Sequence, residues 1–176
     1  MRKDLLIIVF IILFAVILFK GTKIQTVDEY YLTHLDDITA DAETISLTIR
    51  SDAALQNLDK IQEQLHSYIP LDGVVLDRER YVLREGDTVF DLLNRAVRHH
   101  RIQMEFQRAD LNIYNSVYIE GINYLYEFSC GPLSGWMYTV NGEFPSYGVS
   151  LFEPKDGDEI AFLYTCNLGR DLGYAF

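Results

Sequence analysis

The sequence predicts an α+β domain, a mostly antiparallel sheet packed on one main helix, behind an N-terminal transmembrane helix. Three observations carry that prediction. An unbroken apolar run, Leu5 to Phe19, opens the chain. One stretch, Val89 to His100, holds apolar residues at the 3.6-residue period of a helix. Most of the chain beyond Arg101 alternates apolar and polar residues in short runs broken by Gly, Asn and Asp, which is the signature of strands and tight turns.

The apolar run is flanked by Arg2 and Lys3 on one side and Lys20 and Lys23 on the other. Membrane spans need about 20 apolar residues, with a lower limit near 17. With Gly21 and Thr22 as edge residues and the lysines snorkelling, residues 1–23 are just long enough. A cleaved secretory signal is the competing reading, but Lys20 to Gln25 offers no Ala-x-Ala site. An uncleaved signal anchor is therefore expected, giving a single-pass protein of the cell membrane. Positive charge on both sides leaves orientation open; a very short N-terminal tail normally stays in the cytoplasm, so the C-terminal part is expected on the extracytoplasmic side. Residues 24–43, rich in Asp and Glu, read as an acidic juxtamembrane stalk, and residues 44–176 as the folded domain.

Within that domain Ile45, Leu47 and Ile49 alternate with Ser46, Thr48 and Arg50, as in a half-buried strand. Ser51-Asp52 then caps an expected helix with Leu55, Leu58, Ile61 and Leu65 on one face. Pro70 and Asp72-Gly73 end it, and Val74 to Leu83 is a broken β segment. Thr88 and Asp91 match a capping box at the start of the main helix, whose face is Val89, Leu92, Leu93, Ala96 and Val97. Arg95, Arg98 and Arg101 are placed to favour its C-terminal dipole. Ile102, Met104 and Phe106 begin the β region, followed by Tyr118 to Ile122 and Tyr124 to Phe128. Trp136 to Val140 ends at Asn141-Gly142, a strong hairpin signal, and Ile160 to Thr165 completes the sheet after the Asp156-Gly157-Asp158 turn.

The formal net charge is −11, and beyond residue 20 there are 12 basic and 25 acidic side chains. Such a surface repels nucleic acid, so nucleic-acid binding is excluded as a leading function. His99 and His100 are adjacent on a helix and diverge by about 100°, and no His, Cys or Asp spacing matches a zinc or calcium site. No metal and no cofactor is expected. Two cysteines are too few for an iron–sulfur cluster. Cys130 and Cys166 pair as a disulfide in an exported domain, closing a loop of about 35 residues, or remain two buried thiols; spacing alone leaves both open. There is no Gly-x-Ser-x-Gly elbow around Ser134 and no motif tying Cys130 to a histidine, so no enzyme activity is expected.

The remaining candidates are aromatic. Tyr124, Tyr126 and Phe128 share one face of a strand if alternation holds, as do Trp136, Tyr138 and Val140, and Ile160, Phe162 and Tyr164. They form the core against the main helix, or some of them line a groove for a planar or sugar-like ligand. The same residues suit a protein interface.

The order of strand, helix, antiparallel strands and a late Asp-Gly-Asp turn is reminiscent of β-grasp architectures. Gly86-Asp-Thr-Val-Phe-Asp-Leu-Leu93, Tyr118-Ile-Glu-Gly-Ile122, Ser134-Gly-Trp-Met-Tyr-Thr-Val-Asn-Gly142 and Asp156-Gly-Asp-Glu-Ile160 resemble a bacterial domain family of unknown function. That family is related to the C-terminal β-domain of transcobalamin and intrinsic factor, and the resemblance covers roughly residues 44–170. It implies a β-grasp-like ligand-binding fold on an exported or surface-anchored protein. In transcobalamin the corresponding domain covers one side of cobalamin and a helical barrel holds the other; these 176 residues contain no counterpart of the barrel. Only the strand-and-turn unit Gly135, Trp136, Tyr138, Asn141 and Gly142 is carried over, with Tyr147, as a candidate ligand-binding surface. The expected function is a membrane-anchored binding module for a small ligand, cobalamin-like in one reading. The alternative is a structural or adhesion domain whose partner is another cell-surface protein.

Overall fold

Thr44–Arg50 forms β1: Ile45, Leu47 and Ile49 are buried against the helix side, while on the expected open face Thr44 and Ser46 are buried too and Thr48 and Arg50 are half-buried. The structure, a computed structural model, describes residues 8–10, 12, 14, 26, 29, 30 and 34–174. Among these no helix is long and apolar enough to cross a membrane. The anchor read over residues 1–23 lies largely outside the described residues.

After β1 come α1 (Asp52–Leu55), β2 (Val74–Val82), α2 (Val89–His99), β3 (Met104–Gln107), β4 (Tyr118–Ile122), β5 (Leu125–Tyr126), β6 (Gly135–Val140) and β7 (Glu159–Thr165). The fold is a mixed α+β one with two sheets. One is four-stranded, in the order β2-β1-β7-β6. β1 pairs antiparallel with β2 and parallel with β7, and β6 pairs antiparallel with β7 from Gly135↔Thr165 to Val140↔Ile160. The other is a small antiparallel sheet, β3-β4-β5.

α2 covers one face of the larger sheet. Its capping box forms as the sequence predicts: Asp91 N donates to Thr88 Oγ1, and Thr88 N donates to the Asp91 carboxylate at 2.9 Å. Val89, Leu92, Leu93, Ala96 and Val97 are buried against Ile45, Leu47, Ile49, Tyr138, Ile160 and Phe162, with Ile119 and Ile122 of β4 joining the same core. Arg95 departs from the expected role at the helix C-terminus. Its guanidinium is buried, lies 2.7 Å from Asp87 and donates to Val82 O at 3.0 Å. A buried guanidinium needs its charge paired and its donors used, and Asp87 lies before the first turn of α2.

The long helix expected after Ser51 is not there. α1 is one turn, followed by two 3-10 segments, Leu58–Lys60 and Glu63–Tyr68. Asn57 Nδ2 donates to Ala53 O, and the His66 ring takes both Leu58 O and Ile61 O at 3.0 Å. Those carbonyls are therefore satisfied without an α-helical ladder, while Ile61 turns extended. Ile61 and Ile69 still reach a second core, with Ala54, Leu125, Cys130 and Tyr164.

Residues 34–38, inside the segment read as a stalk, lie on the domain. Leu35 packs on the main core and Asp36 makes two hydrogen bonds to Arg84, at 2.8 and 2.9 Å. The Arg84 hydrogen bond holds the Asp36 carboxyl below its usual range.

Candidate ligand cleft

The site is built where β6 begins. Before it, the chain from Tyr126 to Ser134 makes a tight loop rather than a continued strand. Phe128 adopts φ +65° and Gly131 φ +100°. Phe128 N donates to Ser134 O, Gly131 N to Phe128 O, and Cys130 N to Ser134 Oγ at 3.0 Å. Ser134 Oγ in turn donates to Gly131 O at 2.8 Å and accepts from the buried Tyr164 hydroxyl at 3.1 Å. A disulfide from Cys130 to Cys166, with Cα atoms 5.4 Å apart, fastens this loop to the end of β7. Leu168 N donates to Leu133 O at 2.7 Å, adding a second tie.

The chain after β7 closes the other side. Thr165 Oγ1 meets Asp171, whose carboxylate also accepts from Cys166 N. Gly169 is favoured by its φ of +82°, and a Cβ there would also stand 2.9 Å from Tyr174 Cβ. Tyr174 meets Phe144, just beyond the turn that ends β6, 5.0 Å ring to ring.

Between the loop, β6 and this tail lies a cavity of about 400 Å³, within the range of ligand pockets. Tyr118, Phe128, Trp136 and Tyr174 supply aromatic walls, and Leu133 and Met137 aliphatic ones. Glu127 is its one charged lining residue among those described. The Tyr118 hydroxyl donates to Glu127 Oε2 at 2.5 Å. Burial, and then that carboxylate, push the Tyr118 hydroxyl well above the usual phenol range, so it stays a neutral donor. A second cavity of about 180 Å³ lies under residues 34–38, lined by ion-paired Asp36, Arg84 and Arg95; it is smaller than pockets that hold organic ligands.

The six residues singled out from the sequence separate. Gly135 and Trp136 line the cleft. Trp136 is half-buried: Nε1 donates to Leu125 O at 2.8 Å and the ring meets Tyr164 edge-on at 5.3 Å, so it supports the core and the cleft together. Tyr138 is buried on the helix side, with its hydroxyl donating to Tyr147 O at 2.6 Å. Burial pushes its pKa up to about 12. Asn141 and Gly142 form the turn at the far end of β6, with φ +53° and +83°. There the Asn141 side chain bonds Asp158 and accepts from Glu159 N. The return strand of that hairpin stops at the single bridge Val140↔Glu143, and β6 stands at the edge of the sheet with β7 as its one neighbour among the described strands. Tyr147 is exposed and outside the cleft.

The expected common face of Tyr124, Tyr126 and Phe128 is also not formed. Tyr124 and Phe128 both have positive φ and stand 44% and 63% exposed, while Leu125 turns inward. Phe128, Glu127 and Leu133 thus enter the site unannounced by alternation; the Ser129-Cys-Gly-Pro132 turn chemistry was the available signal.

Residues 86–165 match the family described as Domain of unknown function (DUF4430). The match agrees with the resemblance of the motifs to a transcobalamin-like domain of unknown function. The DUF4430 segment runs from the turn before α2 through β7, so it contains both β6 and most of the cleft, while β1 and β2 lie outside it. No curated protein matches the sequence. Among solved structures, haptocorrin in complex with Cbi is similar over 76% of this chain and 28% of its own, at 12% identity and a TM-score of 0.48. The chain therefore spans little more than a quarter of haptocorrin. A candidate metal-binding protein from Ruminococcus gnavus ATCC 29149 is similar over 70% of this chain and 96% of its own, at 10% identity and a TM-score of 0.42. Among the described residues of this chain no three His, Cys, Asp or Glu side chains group as a metal site.

Proposed function

We propose that the chain is a membrane-anchored extracytoplasmic binding module that captures a small ligand in the cleft at the start of β6. The observation that carries this reading is the cleft itself: about 400 Å³, four aromatic walls contributed by separate segments, and one carboxylate. Its rim is preorganised. Holding a bulky residue such as Phe128 at positive φ costs about 1–2 kcal/mol, and such strain persists where the surroundings over-determine it. The order β2-β1-β7-β6, with outer pairs antiparallel and β1 parallel to β7 across α2, supports the β-grasp-like reading. The apolar run Leu5 to Phe19 supports an anchor. The Cys130–Cys166 bridge fits an oxidising compartment outside the cytoplasm. We read the module as a binder rather than an enzyme, since Ser134 Oγ, the hydroxyl buried beside the cleft, is already engaged by three groups.

The test is a thermal-shift panel of small metabolites, corrinoids included, on the full chain in neutral detergent. At least one compound should raise Tm. Leu133→Arg, which puts a charged chain on an exposed wall, should abolish that shift while leaving the Tm of the free protein unchanged. A silent panel would sink the reading. A second reading, docking of a cell-surface protein, is favoured by a different feature. Ile113 and Tyr114 on one loop and Tyr147 and Leu151 on another are all more than half exposed, and Ser116 and Ser150 join the two loops at 3.1 Å. Loss of partner binding on Tyr114→Glu with Tyr147→Glu, and not on Leu133→Arg, would favour it.

A further inference from the structure

We propose that the cleft selects an organic cation, an amine or quaternary-ammonium head seated among aromatic rings beside the Glu127 carboxylate. The inference rests on the cleft being a ligand site and adds the chemical class of its ligand. Four separate elements each contribute one aromatic ring: Tyr118 from β4, Phe128 from the disulfide-fastened loop, Trp136 from β6 and Tyr174 from the tail. Ring faces attract cations through their quadrupoles, most strongly where water is excluded. Met137, with its polarizable thioether, also lines the cleft.

Charge decides the sign. Glu127 lines the cleft, and no Lys, Arg or His does so among the described residues. An anionic ligand would lose its hydration there against a carboxylate and find no compensating charge. A cation gains both the rings and the carboxylate. Glu127 is also held in place: Oε2 accepts the Tyr118 hydroxyl, and its backbone N–H donates to Glu120 O at 2.9 Å. The net charge of −11 acts in the same direction at longer range, drawing cations and repelling anions. A neutral sugar-like ligand would need several convergent hydrogen-bonding side chains. Here three of the four hydroxyl-bearing lining residues, Tyr118, Ser134 and Thr165, already use their hydroxyls within the protein.

Trp136 is the single tryptophan of the chain, so its emission reports directly on the cleft. Three probes of nearly one shape separate the possibilities: choline, the neutral 3,3-dimethylbutan-1-ol, and the anion 3,3-dimethylbutanoate. In the full chain choline should change Trp136 emission saturably, with an affinity about tenfold above the alcohol, and the butanoate should have no effect. Glu127→Gln should weaken choline about tenfold, leave the alcohol unchanged and leave Tm unchanged; Glu127→Asp should recover part of the loss. If the alcohol or the butanoate saturates as tightly as choline, the cationic selectivity is overturned while the cleft stands as a ligand site. If none of the three saturates, the selectivity is likewise overturned, and the metabolite panel with Leu133→Arg decides the cleft separately.

Discussion

The two ends of β6 lie on one strand and do opposite things. At the C-terminal end Tyr138 and Val140 are buried under α2, and Asn141-Gly142 closes the strand with side-chain bonds to the turn before β7. At the N-terminal end Gly135, Trp136 and Met137 face a cleft, because the chain leading in is a disulfide-fastened loop rather than a neighbouring strand. Both ends keep the same pairing with β7. What differs is which face is covered and by what: Tyr138 and Val140 pack on the α2 side, whereas Gly135 and Met137 point to the opposite face, which the irregular loop and the tail cover only in part. The cleft in this molecule is thus left on the face of the sheet away from the helix, while Trp136 and Tyr164 fill a second core on the helix side.

The sharpest separation of the two ends is in stability. Tyr138→Ala empties a buried aromatic site and is expected to cost about 3–5 kcal/mol in urea unfolding, whereas Leu133→Ala at the cleft should stay within about 0.5 kcal/mol. Comparable losses at both positions would mean that the cleft is as tightly packed as the core. Tyr138→Phe keeps the ring and removes the 2.6 Å bond to Tyr147 O, for a loss of about 1 kcal/mol.

The disulfide comes next. Cys130 and Cys166 are 36 residues apart, and replacing both by Ser should cost about 3–4 kcal/mol in the chain-entropy account. Because the bridge fastens the wall of the cleft, amide exchange should rise first at 128–134 and 166–174, with α2 still protected. Uniform loss of protection would show that the two ends unfold as one unit. Asn141→Ala tests the closed end more gently. It removes two side-chain bonds and leaves a non-glycine residue at φ +53°, so about 1–2 kcal/mol should be lost with ligand affinity unchanged.

Local signals account for the closed end. Thr88, Asp91 and the period of Val89, Leu92, Leu93, Ala96 and Val97 announce α2, alternation announces β1, and a short apolar run after the Asp156-Gly157-Asp158 turn announces β7. The parallel pairing of those two strands, more than a hundred residues apart, has no local signature. Leu55, Leu58, Ile61 and Leu65 have helical spacing, yet His66 takes carbonyls that a helix would have used. The open end was least legible because it rests on exceptions. Phe128 breaks alternation through a backbone conformation that an aromatic residue rarely adopts, and Tyr174 arrives from a tail without periodicity. Trp136 is readable as either core or contact; in the structure it packs on the core and also lines the cleft.

Phe128 also provides the smallest and most discriminating effect. Phe128→Gly relieves the positive φ and deletes one cleft wall at once. Since the side chain is 63% exposed, little packing is lost with it. The left-handed cost returned is about 1 kcal/mol, partly offset by the greater backbone entropy of glycine in the unfolded chain. Stability should therefore change by less than about 1 kcal/mol, in the favourable direction, while binding of the cleft's ligand weakens severalfold. Opposite signs in the two measurements are what a residue strained for binding produces. A fall in both would make Phe128 an ordinary packing residue, and the two ends of β6 would then differ only in exposure.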